Sequence, residues 1–469
     1  MLKTELEKRP TNVRWIIFAL ACGASLLLYL HRYTWNTIAG ELNDAPYNLT
    51  KTQTGFLLSL FYYTYALLQI PSGVVIDRFG PRWFLTFSIL LWSLALAMLA
   101  VIFLRFTPAT GGGGNLTLLL ILAGASRLLF GAAQAGCYPA LTRISRVWFA
   151  PQGRTALQGL IASTAGRSGA ALSSIVLSTL LMNWLGVSWQ MGLVWMSLLG
   201  LGFGIIFWWA VADSPDEDSR TNAAERQLIQ GSETALPLDA AAPTILPWKS
   251  AFRSTSMRWF VCQQFFDAGS DVAFVGLISS YFQSRGLDLG STGWLTSLPL
   301  IGGALGGYVG GWLNERCIGF SGNRRWSRSL IGFTGKVIGC TMLLLVARQE
   351  TAAAAGVMLL LAKFFGDWSQ PTVWGTCTDL GGRFSATVFS IINTSGTLGG
   401  VIMPLVFGKL LDWFTREVAT GPGEAISKIT SWDPLFYLLA GMYLASGLCW
   451  LMVDCTKPLE SALKSGDAA

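Results

Sequence analysis

Gly73-Val-Val-Ile-Asp77-Arg78-Phe-Gly80-Pro-Arg82 joins two long apolar segments, residues 54–76 and 83–104. Each segment is long enough to cross a lipid bilayer as a helix, which takes about 20 mainly apolar residues. In the joining stretch, glycine lets helix ends approach closely, Asp77 can cap or pair near a helix end, and the arginines favour the cytoplasmic side. The stretch therefore predicts a tight cytoplasmic turn between two transmembrane helices.

The composition extends this interpretation to the whole chain. Of its 469 residues, 52% are hydrophobic and only 13% are charged, whereas a soluble globular protein has about 25% charged residues. Apolar segments of sufficient length recur and predict twelve spans, which we number in chain order. They cover residues 14–38, 54–76, 83–104, 116–147, 155–182, 189–212, 257–284, 292–315, 329–347, 352–380, 385–412 and 434–454.

The twelve spans fall into two sets of six. Residues 213–250, between spans 6 and 7, are polar and contain Pro and Ala, which is typical of a linker. We therefore expect an N-terminal six-helix bundle at 1–212, a cytoplasmic linker at 213–250 and a C-terminal six-helix bundle at 251–469. The predicted fold class is an all-α polytopic membrane protein built from two pseudo-symmetric bundles.

The placement of Lys and Arg predicts the orientation in the membrane. Cytoplasmic loops carry an excess of these residues, and placing both termini in the cytoplasm puts most of the 33 on that side. Those left outside are Lys51, Arg105, Arg285, Arg348, Arg416 and Lys428. We therefore expect a multi-pass protein of the cytoplasmic (inner) membrane, surrounded by the lipid bilayer. The net charge of +7 needs no nucleic-acid partner.

Short motifs recur about half a chain length apart, which indicates an internal repeat. The pairs are Ser163-Thr164-Ala165-Gly166-x-x-Gly169-Ala170 with Asn393-Thr394-Ser395-Gly396-x-x-Gly399-Gly400, Pro139 with Pro371, and Gly73-x-x-x-Asp77-Arg78 with Gly311-x-x-x-Glu315-Arg316. Many transporters bind their substrate near the bilayer midplane between two such repeats. The repeat therefore favours a transporter.

The loop from Gly73 to Arg82 resembles the GxxxDRxGxR signature of the major facilitator superfamily at every defining position. The resemblance implies that this loop is a conformational latch, formed by Gly73, Asp77, Arg78, Gly80 and Arg82. Three further stretches resemble the anion:cation symporter family, which includes sugar-acid transporters. These stretches are 61–71 in span 2, 127–139 in span 4 and 393–404 in span 11. This resemblance implies transport of a sugar acid or other carboxylate by alternating access.

Arg32 and Arg127 are two of the three arginines, with Arg167, that fall inside predicted spans and away from their cytoplasmic ends. A cation at the centre of a span costs about 2.5 to 3.5 kcal/mol on insertion scales, so each needs a reason to be there. Two guanidinium groups facing one cavity would hold a carboxylate or phosphate in bidentate geometry. The resemblance agrees, because it implies arginines at these positions around an anionic substrate. The alternative is a buried structural ion pair or a side chain that reaches the surface.

Four other polar residues of the predicted spans could supply hydroxyl and amide groups around these arginines. All four are candidates for orienting the substrate. They are Tyr29, Tyr65, Gln134 and Asn393. The small organic anion would then be bound by hydroxyl and amide groups as well as by guanidinium groups. Neither a cofactor nor a metal ion is expected.

The ion that drives transport is harder to predict. The resemblance implies an Asp before the span 1 arginine and a Glu seven residues after the span 4 arginine, but this chain has His31 and Gln134 there. Gln134 cannot titrate, whereas His31, the only histidine, can. In span 7, Asp267 and Asp271 share one helix face. They are candidates for carrying a proton or sodium ion.

The other open question is which buried charges pair with each other. Asp267 and Asp271 could instead pair with Arg167 or Lys336, and Arg167 could also be a third contact to the anion. Lys363 and Asp367, four residues apart in span 10, favour a mutual pair. Asp367 remains a further candidate for ion coupling.

Other functional classes find little support in the sequence. No HExxH, Gly-x-Ser-x-Gly or nucleotide-binding glycine-rich motif is present, so we do not expect an enzyme. The eight cysteines show no metal-binding spacing. An uncoupled uniporter, an anion exchanger and a non-transporting membrane sensor of the same fold stay open as alternatives to symport. We expect a monomer.

Overall fold

The computed structural model describes residues 9–43, 46–47, 49–105, 113–230, 246, 248–286, 289–419 and 426–459. Contacts within the chain divide it into two units. Unit 1 comprises Met1–Leu246 and Arg383–Ser390, and unit 2 comprises Pro247–Gly382 and Ile391–Ala469. Unit 1 is therefore discontinuous in sequence, because it includes the first residues of span 11.

Unit 1 contains the first six spans as helices, several of them in more than one piece. Span 1 is Val13–Arg32 followed by Thr34–Asn43, span 2 is Lys51–Phe79, span 3 is Pro81–Arg105, span 4 is Gly113–Gln134 with Cys137–Trp148, and span 6 is Trp189–Ala210. Span 5 consists of Pro151–Gly159, Leu160–Ala165, Gly166–Ser174 and Ile175–Trp184. Its second and fourth pieces are π-helical.

The remaining spans are also helical. After a short helix, Trp248–Arg253, span 7 is Thr255–Gly276 with Ile278–Ser284, span 8 is Leu289–Ser321, span 9 is Arg324–Val346 and span 10 is Ala352–Gly366 with Ser369–Gly381. A 3-10 turn, Gly382–Phe384, leads into span 11, Ser385–Trp413, and span 12 is Asp433–Met452.

An antiparallel hairpin, which the sequence pattern did not predict, lies between spans 11 and 12. It pairs strand β1, Thr415–Ala419, with strand β2, Ile426–Thr430. The hairpin belongs to a loop and leaves the all-α class unchanged.

Nine helical stretches of the described chain are long and apolar enough to cross a membrane. They contain spans 1 to 6, 9 and 12, and the stretch Ala352–Trp413 contains both span 10 and span 11. Spans 7 and 8 are helices of 22 and 33 residues but fall outside this set. Span 7 carries two aspartates and span 8 is rich in glycine, which lowers their hydropathy.

The repeated glycine motifs have the same packing role in both units. A Cβ atom on Gly169 of span 5 would overlap the Leu26 carbonyl oxygen of span 1. A Cβ atom on Gly399 of span 11 would overlap the Phe265 carbonyl oxygen of span 7. Small residues allow helix backbones to approach closely in membranes, where packing contacts hold helices together. The repeat therefore preserves a close helix pair in each unit.

Residues 213–230 of the predicted linker are part of unit 1, which differs from a free connection. Their helix, Ala223–Gln230, carries the fully buried Glu225. The Glu225 carboxylate accepts hydrogen bonds from the backbone amides of Val13 and Arg14, both at 3.1 Å, and from the Thr11 hydroxyl. A carboxylate at a helix N-terminus satisfies free amides and interacts favourably with the helix dipole. Glu225 thereby fixes the start of span 1.

We expect Gly169→Ala and Gly399→Ala to destabilise the protein by about 1 to 3 kcal/mol, as overpacking does in other tightly packed interiors. Gly202 of span 6 is the matched control, because a Cβ atom there meets nothing within 4 Å. Thermal unfolding of the detergent-purified variants measures the difference. Equal melting temperatures for Gly169→Ala and Gly202→Ala would contradict the packing role.

Candidate functional site

Arg32 lies at the end of the first helix of span 1, in a ring of aromatic side chains. Its Nε atom donates a hydrogen bond to Gln134 Oε1 at 3.0 Å. Its guanidinium carbon lies 5.1 Å from the ring centroid of Tyr29, 5.1 Å from that of Phe61 and 4.6 Å from that of Tyr65. Aromatic faces attract a cation through the ring quadrupole, by about 0.5 to 2 kcal/mol each. The rings therefore help to stabilise the charge of this half-buried side chain.

Arg127 of span 4 is surrounded in the same way and is only 2% exposed. Its Nε donates to the Leu57 carbonyl oxygen at 3.4 Å. Its guanidinium carbon lies 4.4 Å from the ring centroid of Trp35, 5.2 Å from that of Phe61 and 5.4 Å from that of Phe130. Phe61 therefore contacts both guanidinium groups, and it links the two arginines into one cluster.

The two arginines retain hydrogen-bonding capacity. The Nη2 atoms of Arg32 and Arg127 are buried, and neither has a hydrogen-bond partner among the described residues. Within the described residues, no carboxylate lies within ion-pair distance of Arg32 or Arg127. A buried charge without a partner is costly, and buried donors are normally satisfied. The structural ion pair that the sequence left open is therefore absent from the described residues.

Gln134 uses both ends of its amide within unit 1. Its Oε1 accepts from Arg32, and its Nε2 donates to the Leu28 carbonyl oxygen at 3.3 Å. The side chain is buried. Gln134 therefore holds the Arg32 guanidinium in place.

His31 lies away from the arginine cluster although it precedes Arg32. It is fully buried, and its Nε2 lies 3.0 Å from the Met196 carbonyl oxygen in span 6. Its ring also packs against Gly200 of the same span. His31 thus faces span 6, whereas Arg32 faces spans 2 and 4. The structure does not bring the predicted titratable histidine together with the predicted anion contacts.

The other predicted contacts are distributed over both units. Tyr29 and Tyr65 lie beside Arg32, and Arg167 is close enough to Tyr29 to interact with it electrostatically. Asn393 belongs to unit 2, where its carbonyl oxygen accepts a hydrogen bond from Thr397 at 2.9 Å. Arg167 is therefore placed with the arginine cluster of unit 1.

Three aromatic residues at the arginine cluster were not identified as site residues from the sequence. Phe61 and Phe130 lie in the stretches 61–71 and 127–139 that carry the family resemblance, but neither was assigned a role, and Trp35 lies outside those stretches. Phe130 lies three residues beyond Arg127, a spacing that puts side chains on the same face of a helix, and this spacing was the available signal. Trp35 contacts Arg127 from a different helix, so its place depends on how the helices pack.

Unit 2 contains buried charges that are paired. Asp267 of span 7 forms an ion pair with Lys336 of span 9, and both side chains are fully buried. Lys363 of span 10 lies 2.6 Å from Asp271 Oδ1 and 2.7 Å from Asp367 Oδ1. The sequence left several ion pairs open. In the structure, Asp267 pairs with Lys336, and Asp367 pairs with Lys363. Asp271 pairs with Lys363, which is a partner that the sequence did not suggest for it.

The predicted latch loop makes contacts that explain its glycines and its aspartate. Asp77 accepts hydrogen bonds from the backbone amides of Ala386 and Thr387, at 3.2 and 2.7 Å, and from the Thr387 hydroxyl at 2.6 Å. Arg143 lies 3.9 Å from Asp77 and donates to the Arg383 carbonyl oxygen at 2.5 Å. Asp77 therefore caps the N-terminus of span 11 within unit 1. A side chain at Gly73 would collide with Ser390 of the same segment.

The second half of the loop is held by contacts with span 6 and with Asp213, which follows that span. Gly80 has φ of 92°, and a Cβ atom there would lie 2.7 Å from the Asp213 carboxylate. That carboxylate accepts from the Arg82 amide at 2.8 Å at the start of span 3. The Arg82 guanidinium lies 4.5 Å from the ring centroid of Trp208. Arg78 is exposed and lies over Phe79.

Relatives of known or suggested function match most of the chain. The sequence profile described as Major Facilitator Superfamily matches residues 17–404. A probable sulfoacetate transporter from Cupriavidus necator is 28% identical over 406 residues, which make up 86% of this chain and 89% of that protein. A probable galactarate/D-glucarate transporter from Escherichia coli is 24% identical over 416 residues, 86% of this chain and 90% of that one.

Solved structures agree on the fold. The fucose:proton symporter of E. coli is 16% identical, has a TM-score of 0.61, and matches over 94% of this chain and 98% of its own. A proton:xylose symporter is also 16% identical, with a TM-score of 0.67 over 96% of this chain and 98% of its own. Likeness at this level of identity concerns the fold alone. It confirms the predicted major facilitator architecture.

We expect Gly80→Ala to destabilise the protein more than Gly186→Ala. Both glycines have positive φ, at 92° and 63°, so alanine is strained at each, by roughly 1 kcal/mol or more. Only at Gly80 does the new methyl group also displace a carboxylate, that of Asp213, since nothing lies within 4 Å of a Cβ atom at Gly186. Thermal unfolding compares the two variants, and equal losses would rule out the Asp213 contact as a constraint.

Proposed function

Because the chain belongs to the Major Facilitator Superfamily and is therefore a membrane transporter rather than an enzyme, we propose that it moves a small organic anion across the cytoplasmic membrane by alternating access. The observation that carries this proposal is the pair of arginines in unit 1, of which Arg127 is buried and Arg32 half-buried. Arg32 and Arg127 each keep a buried Nη2 without a partner among the described residues. An anion would supply the missing hydrogen-bond acceptors and the missing negative charge.

The chemistry of the arginine cluster suits an organic acid. A guanidinium group binds a carboxylate, phosphate or sulfonate through parallel N–H donors. Aromatic rings can pack against the carbon skeleton while hydroxyl groups orient it. We assign these roles to Tyr29 and Tyr65; Asn393, which belongs to unit 2, remains a predicted substrate contact. Gln134 then acts through Arg32, because its amide is already committed to that side chain.

The relatives narrow the class of anion. Sulfoacetate and galactarate or glucarate, the compounds in the names of the two relatives, are small acids with two anionic groups. Two guanidinium groups that have no carboxylate partner among the described residues match two such charges. We therefore propose a small dianionic acid as the preferred substrate.

We further propose ion-coupled symport by a monomer with both termini in the cytoplasm. The excess of Lys and Arg in the loops that would then be cytoplasmic supports this orientation. Of the candidate coupling residues, His31 is packed against span 6, whereas Asp267, Asp271 and Asp367 lie together in the charged network of unit 2. The loop from Gly73 to Arg82 would act as a latch through Asp77 and span 11.

A ligand panel tests the anion site directly. We expect sulfoacetate or D-glucarate to raise the melting temperature of the purified protein, because a ligand at 100 times its Kd stabilises the folded state by about 2.7 kcal/mol. Neutral sugars should have no effect. Arg127→Ala should abolish the shift while leaving a folded protein.

The control for this experiment is Arg105→Ala, because Arg105 is an exposed arginine at the end of span 3. This variant should keep the full thermal shift. If Arg127→Ala also kept it, or if only neutral compounds stabilised the protein, the anion site would be wrongly assigned.

Gln134→Glu tests how the cluster handles charge. The new carboxyl would lie about 3 Å from Arg32 Nε, the distance of the present hydrogen bond, and when ionised it would pair with Arg32 and compete with the substrate. We expect anion binding to this variant to weaken as the pH rises through the titration of the new group. Thermal shifts measured at several pH values should show that anion binding falls more steeply with rising pH in the variant than in the native protein. A variant with native pH dependence would contradict the shared role of Gln134 and Arg32.

A further inference from the structure

Spans 1 to 6 carry positive charge that no acidic residue of the same spans offsets. Arg32, Arg127 and Arg167 lie inside spans 1, 4 and 5, and all three belong to unit 1. The six predicted spans of this half contain neither Asp nor Glu. A charge within a span is costly and marks a candidate functional site. Arg32 and Arg127 already have a role in the proposed anion site, whereas Arg167 has none.

The packing of span 5 places Arg167 beside Tyr29. A Cβ atom on Gly166 would lie 3.1 Å from Tyr29 Cε2 and 2.8 Å from the Tyr138 hydroxyl oxygen. Neighbouring Cα atoms are about 3.8 Å apart, so the backbone of Arg167 is also close to the Tyr29 ring. The guanidinium carbon of Arg32 lies 5.1 Å from the centroid of the same ring. Tyr29 is therefore in contact with Arg32 and with the part of span 5 that carries Arg167.

The direction of the Arg167 side chain follows from the face that span 5 turns to span 1. Three residues of the helix Gly166–Ser174 form that face. They are Gly166 against Tyr29, Gly169 against the Leu26 carbonyl oxygen, and Ser173, whose hydroxyl donates to the Leu30 carbonyl oxygen at 2.7 Å. Arg167 lies one residue, about 100°, around the helix from Gly166. Its half-buried side chain therefore projects from the edge of the contact with span 1.

Two tyrosines connect Arg167 with the arginine cluster. The ring centroids of Tyr29 and Tyr33 are 5.8 Å apart. Arg32 and Arg167 both interact electrostatically with each of these two side chains. Coulomb interactions weaken with distance, so both guanidinium groups must lie near the same pair of rings. Their charges therefore act on the same small region of unit 1.

The helical form of span 5 is a second, independent indication that this region is functional. The residues directly before Gly166, Leu160–Ala165, form a π-helix. A π-helix is wound more loosely than an α-helix, so it changes the direction in which the following side chains project. Such segments are rare and occur frequently at functional sites. The π-helical segment thus contributes to the rotation of the helix that carries Arg167.

We propose that Arg167 is a specificity-determining residue, a third positive charge that makes the anion site prefer dianionic over monoanionic acids. Arg32 and Arg127 bind the acid directly, and the charge of Arg167 adds to the attraction that a second anionic group experiences. An acid with one negative charge, already bound by Arg32 and Arg127, gains little from Arg167. The inference rests on the proposed function, because it assigns a further residue to the same site.

Two matched pairs of acids test this preference. D-glucarate and D-gluconate have the same six-carbon chain, and sulfoacetate and 2-hydroxyethanesulfonate have the same two-carbon chain; in each pair a hydroxymethyl group replaces one carboxylate. Thermal-shift titrations of the full-length purified protein give a Kd for each acid. The native protein should bind the dianion of each pair more tightly.

The variants of Arg167 should change this ratio in a way that depends on charge. Arg167→Gln should lower the preference for the dianion about tenfold and leave the Kd of the monoanion nearly unchanged. Arg167→Met, a second neutral replacement, should behave in the same way. Arg167→Lys keeps the charge and should retain most of the preference. Ser168→Ala is the matched control, because Ser168 is the next residue of span 5 and is exposed; it should keep the native ratio.

The outcomes separate this inference from the proposed function. If the neutral variants lose affinity equally for both acids of a pair, Arg167 has a structural role, and the inference is wrong. An unchanged ratio in these variants would also overturn it. In both cases the anion site of Arg32 and Arg127 remains, provided that Arg127→Ala abolishes binding. If the native protein binds none of the four acids, both proposals fail.

Discussion

The cost of holding charge away from water constrains this structure more than any other factor. A helix can satisfy its own backbone in a membrane, but a charged side chain within it needs a partner, an aromatic face or a ligand. The two units meet this demand differently. Unit 1 surrounds Arg32 and Arg127 with aromatic rings, and one buried donor of each has no partner in the part of the chain that the structure describes. Unit 2 sets lysines against aspartates in direct ion pairs.

This contrast separates two physical tasks. A cation stabilised by quadrupoles keeps its capacity for a stronger partner, because aromatic faces use none of its N–H donors. An ammonium shared between two carboxylates, as Lys363 is between Asp271 and Asp367, is already committed to direct ion pairs. The two arrangements therefore differ in the capacity that they leave for binding an anion. The sequence provides each from a different set of spans.

Much of this organisation could be predicted from the sequence, and the reasons for the failures are physical. Apolar length and the Gly73–Arg82 loop predict the helices, and charge inside a span marks Arg32 and Arg127. The partner of a buried charge depends on which helices are in contact. The spacing of residues in the sequence therefore could not predict that Asp271 pairs with Lys363. The direction that His31 faces depends on helix rotation, which adjacency to Arg32 does not reveal. The hairpin of β1 and β2 lies in a stretch with no period strong enough to identify it.

The discontinuity of unit 1 has a consequence for how the protein is made. Translation delivers the chain from its N-terminus, and domains generally fold as units in that order. Glu225 is synthesised soon after span 6, so its hydrogen bonds to the first residues of span 1 can form early. Residues 383–390, which supply the amides that Asp77 accepts from, emerge only after ten spans have been inserted. The first half of the protein therefore leaves the ribosome before the hydrogen-bond donors for the Asp77 carboxylate have been synthesised. Unit 1 can be completed only when the second half of the chain has been made.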